Sequence, residues 1–131
     1  MIRQSGRLPK YLSTDIVAGV LFYSKLESFT GNIRLIHETI YRLRDHSRLL
    51  RSFPFSLNDV YPFSRQLEDV LFSLERSRII GMDNPDFESF KIKKKGKTYI
   101  QKKILPRFGE SELHELEKLG EEFRAACSPK N

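Results

Sequence analysis

The stretch from Ser64 to Lys97 constrains this chain most, because its apolar pattern switches from a helical period to an alternating one and then to a lysine run. Leu67, Val70, Leu71 and Leu74 recur at i, i+3, i+4 and i+7, which is one apolar stripe of an α-helix. Ser64 stands where an N-cap belongs, since its hydroxyl can accept from an orphan amide of the first turn. Pro62 stops an earlier helix from running through. Arg76 and Arg78 suit a C-terminal end, where cations complement the helix dipole. The outward positions are then Arg65, Gln66, Glu68, Asp69, Phe72, Ser73, Glu75 and Arg76. Ile79–Met82 is β-prone, Asp83-Asn84-Pro85-Asp86 is dense in turn formers, and Phe87–Ile92 returns with Phe90 and Ile92 alternating against Lys91. The pattern predicts a hairpin over 79–92 with Met82 and Phe87 on opposite strands.

Helix, hairpin and then Lys93-Lys94-Lys95-Gly96-Lys97 resembles the end of MarR-type winged-helix domains. There a recognition helix runs into a strand, a wing and a threonine- and glycine-bearing step into the next helix. The threonine has no counterpart here, so the next helix starts without that cap. A broader part of the chain resembles the winged-helix antitoxin domain called Panacea. The resemblance implies a mainly α fold with a small antiparallel β-hairpin, a winged-helix-like domain with extra N- and C-terminal helices.

The length of 131 residues suits one domain with one core. Residues 1–12 are polar, basic and broken by Gly6 and Pro9, as in a flexible arm. A first helix is predicted over Thr14–Ser28. It is apolar around most of its girth, which points to packing on two sides or to a homodimer. Asn32 can cap a second helix, Ile33–Ser47, striped by Ile33, Ile36, Ile40 and Leu43. His37 falls on the opposite, charged face and reads as solvated. The segment 48–63 is too long for a plain helix-turn-helix turn, so a short helical turn is expected near Ser56–Val60. Phe53, Phe55, Leu57, Tyr61 and Phe63 form an aromatic-rich cluster there, expected to fill core, with a ligand groove as the other reading. Thr98–Leu105 is read as helix, and Ser111 as the cap of a last helix, Glu112–Ala126.

Charge is concentrated in one place. Between Lys91 and Arg107 stand eight basic residues and no acidic one, so the chain's net +6 is +8 here and −2 everywhere else. One cysteine, Cys127, excludes an internal disulfide. No nucleophile motif, phosphate loop or metal-ligand spacing is present, so neither an enzyme nor a bound cofactor or metal is expected. Without a long apolar run or signal peptide, no membrane partner is expected and the cytoplasm is the default.

Two functions fit. The first is double-stranded DNA binding and transcription regulation. Ser64, Arg65 and Gln66 would sit at the groove end of the helix and Arg76 further along it, while Lys91, Lys93, Lys94, Lys95 and Lys97 would meet phosphates. The second is a protein-interaction module, antitoxin-like or an assembly adaptor, using the Ser64–Arg76 helix. Glu68, Asp69 and exposed Phe72 suit that helix better to protein than to phosphate.

Overall fold

A computed structural model describes residues 11–58, 60–82 and 88–129. The elements are α1 (Ser13–Ser24), β1 (Ser28–Thr30), α2 (Ile33–Leu43), α3 (Arg65–Arg76), β2 (Ile80–Gly81), β3 (Ser89–Ile92), α4 (Lys94–Tyr99) and α5 (Glu110–Cys127). The sheet order is β1-β3-β2, antiparallel throughout. This is the expected mainly helical architecture with a small antiparallel sheet, which gains a third strand in β1. The tip of the hairpin, with Phe87, lies outside the described residues, as does the arm up to residue 10.

The helix most crowded by its own chain is α1. Asp15 through Leu21 and Ser24 are buried, and α5, α3 and the segment after α4 all pack on it. The apolar girth that suggested a second copy is thus used inside one chain. Two glycines allow the closest crossing. A Cβ on Gly120 would lie 2.6 Å from the Tyr23 carbonyl carbon, and one on Gly19 would lie 2.8 Å from Leu116 Cδ1. Arg124 of α5 also donates to the Ser24 carbonyl at 3.3 Å, which serves an otherwise open carbonyl at the end of α1.

The first helix ends four residues earlier than its apolar pattern suggests. Ser24 Oγ donates to the Leu21 carbonyl at 2.6 Å, and Lys25 turns into the left-handed region at φ 60°. The chain then extends, and Ser28-Phe29-Thr30 becomes an edge strand, which sequence periodicity did not separate from the helix. Phe29 stands opposite Phe90 with ring centroids 5.1 Å apart, and Phe123 of α5 meets Phe29 edge-on at 5.5 Å. The sheet is thereby tied to the α1–α5 pair.

Asn32 caps α2 as expected, accepting from Leu35 N–H at 3.1 Å. The helix tightens into a 3-10 turn over Arg44–His46. No helix forms near Ser56–Val60 among the described residues. Instead Ser56 and Phe63 pair as an antiparallel bridge, with N–H to carbonyl distances of 2.7 and 3.0 Å. Of the aromatic cluster, Phe53 is fully buried and Leu57 exposed, and the remainder lie between. Ser64 caps α3, accepting from Leu67 N–H at 3.1 Å, and Leu67, Val70, Leu71 and Leu74 are buried together.

The helical reading of Thr98–Leu105 holds, but the helix begins at Lys94, widens to a π turn over Ile100–Ile104 and tightens to 3-10 over Leu105–Arg107. Pro106 lacks the amide that would bond back to Lys102, so a regular α ladder cannot continue here. Gly109, not Ser111, occupies the N-cap of α5.

Because the two nearest atoms facing Gly120 are backbone, they cannot swing away from an added methyl. Gly120→Ala should therefore cost about 1–3 kcal/mol in urea denaturation, as overpacking does. Leu67→Ala should cost about 2–5 kcal/mol, the range for a fully buried leucine.

Candidate functional site

The C-terminal end of α3 decides where the basic segment lies. Ser77 N–H bonds to the Ser73 carbonyl, Arg78 N–H to Glu75 at 3.0 Å and Ile79 N–H to Leu74 at 3.0 Å. This is a Schellman-type termination, whose left-handed position usually holds glycine. Here it holds Arg78, at φ 64°. Ile79 then accepts from Lys93 N–H at 3.0 Å, which closes the open end of the hairpin and brings Lys93–Lys95 beside Ser77 and Arg78. Gly96 lies directly on this strand, and an added Cβ would stand 2.7 Å from the Ile79 carbonyl oxygen. No other residue lets α4 approach so closely.

Between α1, the end of α3 and the start of α4 opens a cavity of about 720 Å³. Buried Ile79, Gly96 and Ile104 form its apolar lining, and Tyr99, 46% exposed, adds an aromatic side. Arg78, Lys94 and Lys95 are exposed at its edge. Thr14 and Asp15 line the α1 side. Asp15 is already engaged, accepting from Arg107 Nη1 at 2.9 Å, and that hydrogen bond holds the Arg107 guanidinium above its ordinary pKa.

The residues expected to touch DNA do not form one patch. Ser64 is 0% exposed: its hydroxyl is spent on the α3 cap and its N–H on His37, so it has no face for a base or phosphate. Gln66 is half-buried and donates from Nε2 to Ser13 Oγ. Arg65 is exposed at the start of α3. Arg76 is exposed near its end, with its guanidinium 5.6 Å from the ring centre of Phe72. About 16 Å of helix separates Arg65 from Arg76. The lysines join only the Arg76 end. Lys91, Lys94 and Lys95 are exposed, and Lys93 and Lys97 half-buried. The solvent face of α3 itself carries Arg65, Glu68, Asp69, Glu75 and Arg76 around Phe72, which is 59% exposed.

The acidic helix α5 turns its carboxylates elsewhere. Glu115 accepts from Ser47 at 2.9 Å, Glu122 meets His46 at 3.1 Å and Glu117 lies 3.8 Å from His114. Lys91, Lys94, Lys95, Lys102 and Lys103 make no ion pair with a carboxylate among the described residues. No group of three or more His, Cys, Asp or Glu side chains there could hold a metal ion. Cys127 is buried against Thr39 Oγ1 at 3.4 Å, and burial pushes its thiol pKa up, as in an unreactive structural cysteine.

His37 is the functional-looking residue that helical periodicity misplaces. It is fully buried, not solvated, because the 48–63 segment folds over that face of α2. Its Nδ1 accepts the Ser64 N–H at 3.0 Å, so the ring is neutral with its hydrogen on Nε2. Phe63 stacks on it at 4.8 Å, and Tyr61 and Phe55 meet it edge-on. Nε2 has no hydrogen-bond partner among the described residues. Burial lowers the pKa of His37 from 6.5, with Glu68 opposing weakly.

Two measurements follow from this geometry. Protonated His37 would point a donor at the Ser64 N–H, so the folded state resists protonation. The stability this gives is complete above the ordinary imidazole value of 6.5 and is lost as pH falls below it towards the lowered folded value. His37→Leu should be less stable at neutral pH by about 1–3 kcal/mol, with Ser64 N–H orphaned, yet flatter in stability between about pH 7 and 5. Denaturation curves across that range check it. Arg78→Gly should raise stability by about 0.5–1 kcal/mol, since glycine relieves the left-handed strain at some cost in unfolded-state entropy.

Among the described residues no helix is long and apolar enough to cross a membrane. Compared with known proteins, the chain matches no family model, no curated protein and no solved structure.

Proposed function

We propose that this chain is a nucleic-acid-binding protein of the winged-helix superfamily, acting in the cytoplasm in transcription regulation and without catalysis. It holds duplex DNA chiefly by the phosphate backbone. The observation that carries this reading is a set of five exposed lysines, Lys91, Lys94, Lys95, Lys102 and Lys103, within the Lys91–Arg107 segment. These five stand in solvent without a carboxylate partner among the described residues, while Glu115, Glu122 and Glu117 of α5 meet Ser47, His46 and His114. Like charges held this close repel one another in the folded chain. A polyanion relieves that repulsion and gains entropy from the counterions it releases.

Base reading by the start of α3 has little support. Ser64 is buried, Gln66 is engaged with Ser13, and Arg65 is followed by exposed Glu68 and Asp69. Binding is therefore expected to discriminate weakly between sequences. A second reading, a protein-interaction winged helix, rests on exposed Phe72 amid mixed charges.

Fluorescence anisotropy with random duplex DNA over a range of salt tests the proposal. The log–log slope should be about −0.9 per phosphate contacted. Reversing Lys91, Lys102 and Lys103 to Glu should weaken every duplex alike and flatten the slope. Arg65→Ala should change discrimination by less than the roughly 1–3 kcal/mol of a bidentate base contact. A Kd weaker than about 100 μM at low salt would remove the DNA reading and leave the Phe72 surface as the basis of function.

A further inference from the structure

The cavity beside Gly96 combines features that a duplex-binding lysine patch does not need. Its interior is apolar, with Ile79, Ile104 and the bare backbone of Gly96 at its wall. Tyr99 offers a half-exposed aromatic face. Arg78, Lys94 and Lys95 bring three positive charges to the lining, and the carboxylate there, Asp15, is hydrogen-bonded to Arg107. A phosphate backbone would meet such cations at a convex surface, and a concave apolar space behind them would stay empty.

From this juxtaposition we infer that the cavity binds an aromatic ring carrying a multiply charged phosphate, that is, a nucleotide. The ring lies against Tyr99 with Ile79 and Ile104 beneath it, and the phosphates meet Arg78, Lys94 and Lys95. Aromatic faces and isoleucine side chains accept any base, because each base has a π-face. A guanidinium fork and two ammonium groups suit an anion of several charges, and a lone carboxylate would leave most of them uncompensated. The volume of about 720 Å³ exceeds what a single-ring acid needs. The backbone of Arg78 adds a further reason. An arginine side chain stands where glycine is the unstrained choice, and that position aims it beside the two lysines at the cavity.

Two sources share this chemistry, a free nucleotide and the phosphorylated end of a single strand. Isothermal titration calorimetry on the intact chain separates them. ADP, adenosine, pyrophosphate and benzoate are titrated in turn, then short oligonucleotides with a 5′-phosphate or a 5′-hydroxyl. ADP should bind at least about tenfold tighter than adenosine, pyrophosphate or benzoate, since only it satisfies both halves of the cavity. A preference for the 5′-phosphorylated strand over ADP assigns the strand end as the source, and the reverse assigns the free nucleotide. Arg78→Gly should lose about tenfold in ADP affinity while its melting temperature rises, a pairing that misfolding cannot produce. Ile104→Phe should lose ADP binding by filling the space, while Arg51→Glu, an exposed charge change elsewhere, should leave it unchanged. Equal binding of ADP, pyrophosphate and benzoate, or ADP binding that survives both Arg78→Gly and Ile104→Phe, overturns the inference. So does failure of ADP and of both oligonucleotides to bind the wild type. None of these titrations uses duplex DNA, so their outcome stands apart from that of the salt experiment.

Discussion

The fold depends on the crossing of α1 and α5 at Gly19 and Gly120. Helices carrying side chains at such a crossing are held apart by them, and here α5 rests on the bare backbone of Tyr23 and Ser24. That close approach seals one side of α1 and places Phe123 on Phe29. The edge strand is therefore positioned by a helix nearly a hundred residues away in sequence. The other sides of α1 take the α3 stripe and the π turn at Ile100–Ile104. An apolar helix that reads as a dimer surface is in this way the central beam of a single chain.

Charge is separated by the same geometry. Because α5 packs along α1 and α2, its carboxylates meet Ser47, His46 and its own His114. The lysine segment leaves the sheet at the C-terminal end of β3 and closes on Ile79. Opposite charges that could have neutralised one another in solution are held on different parts of the surface.

Two local choices run against intrinsic preference at the same place. Arg78 occupies a left-handed position, and Gly96 gives up helix propensity to lie on Ile79. Either could be dismissed alone, and Lys25 adopts a similar backbone angle at the end of α1. Together they build the wall and the charged edge of one cavity. His37 makes a different compromise. Among the described residues its Nε2 has no partner inside an aromatic box, while Nδ1 anchors the Ser64 amide, which fixes where α3 begins.

Elements whose signals are local could be read from the order of residues. The stripe of α3 with its Ser64 cap, the Asn32 cap of α2 and the basic segment were legible, since capping and 3.6-residue periodicity need only near neighbours. Local pattern could not separate β1 from the end of α1, because Tyr23, Leu26 and Phe29 continue a helical i, i+3 spacing and only pairing with β3 reveals the strand. It also misplaced His37, whose burial is imposed by the 48–63 segment folding across α2, and it assigned a surface role to Ser64, which is fully buried with its N–H bonded to His37. Which cations stand together depends on long-range pairing. Arg65 and Arg76 look equivalent on one helix, but the lysines return to the Arg76 end, because β3 runs antiparallel to β2 and must finish where α3 stops. The cavity followed from the same closure, through a glycine whose purpose is visible only from the backbone it touches.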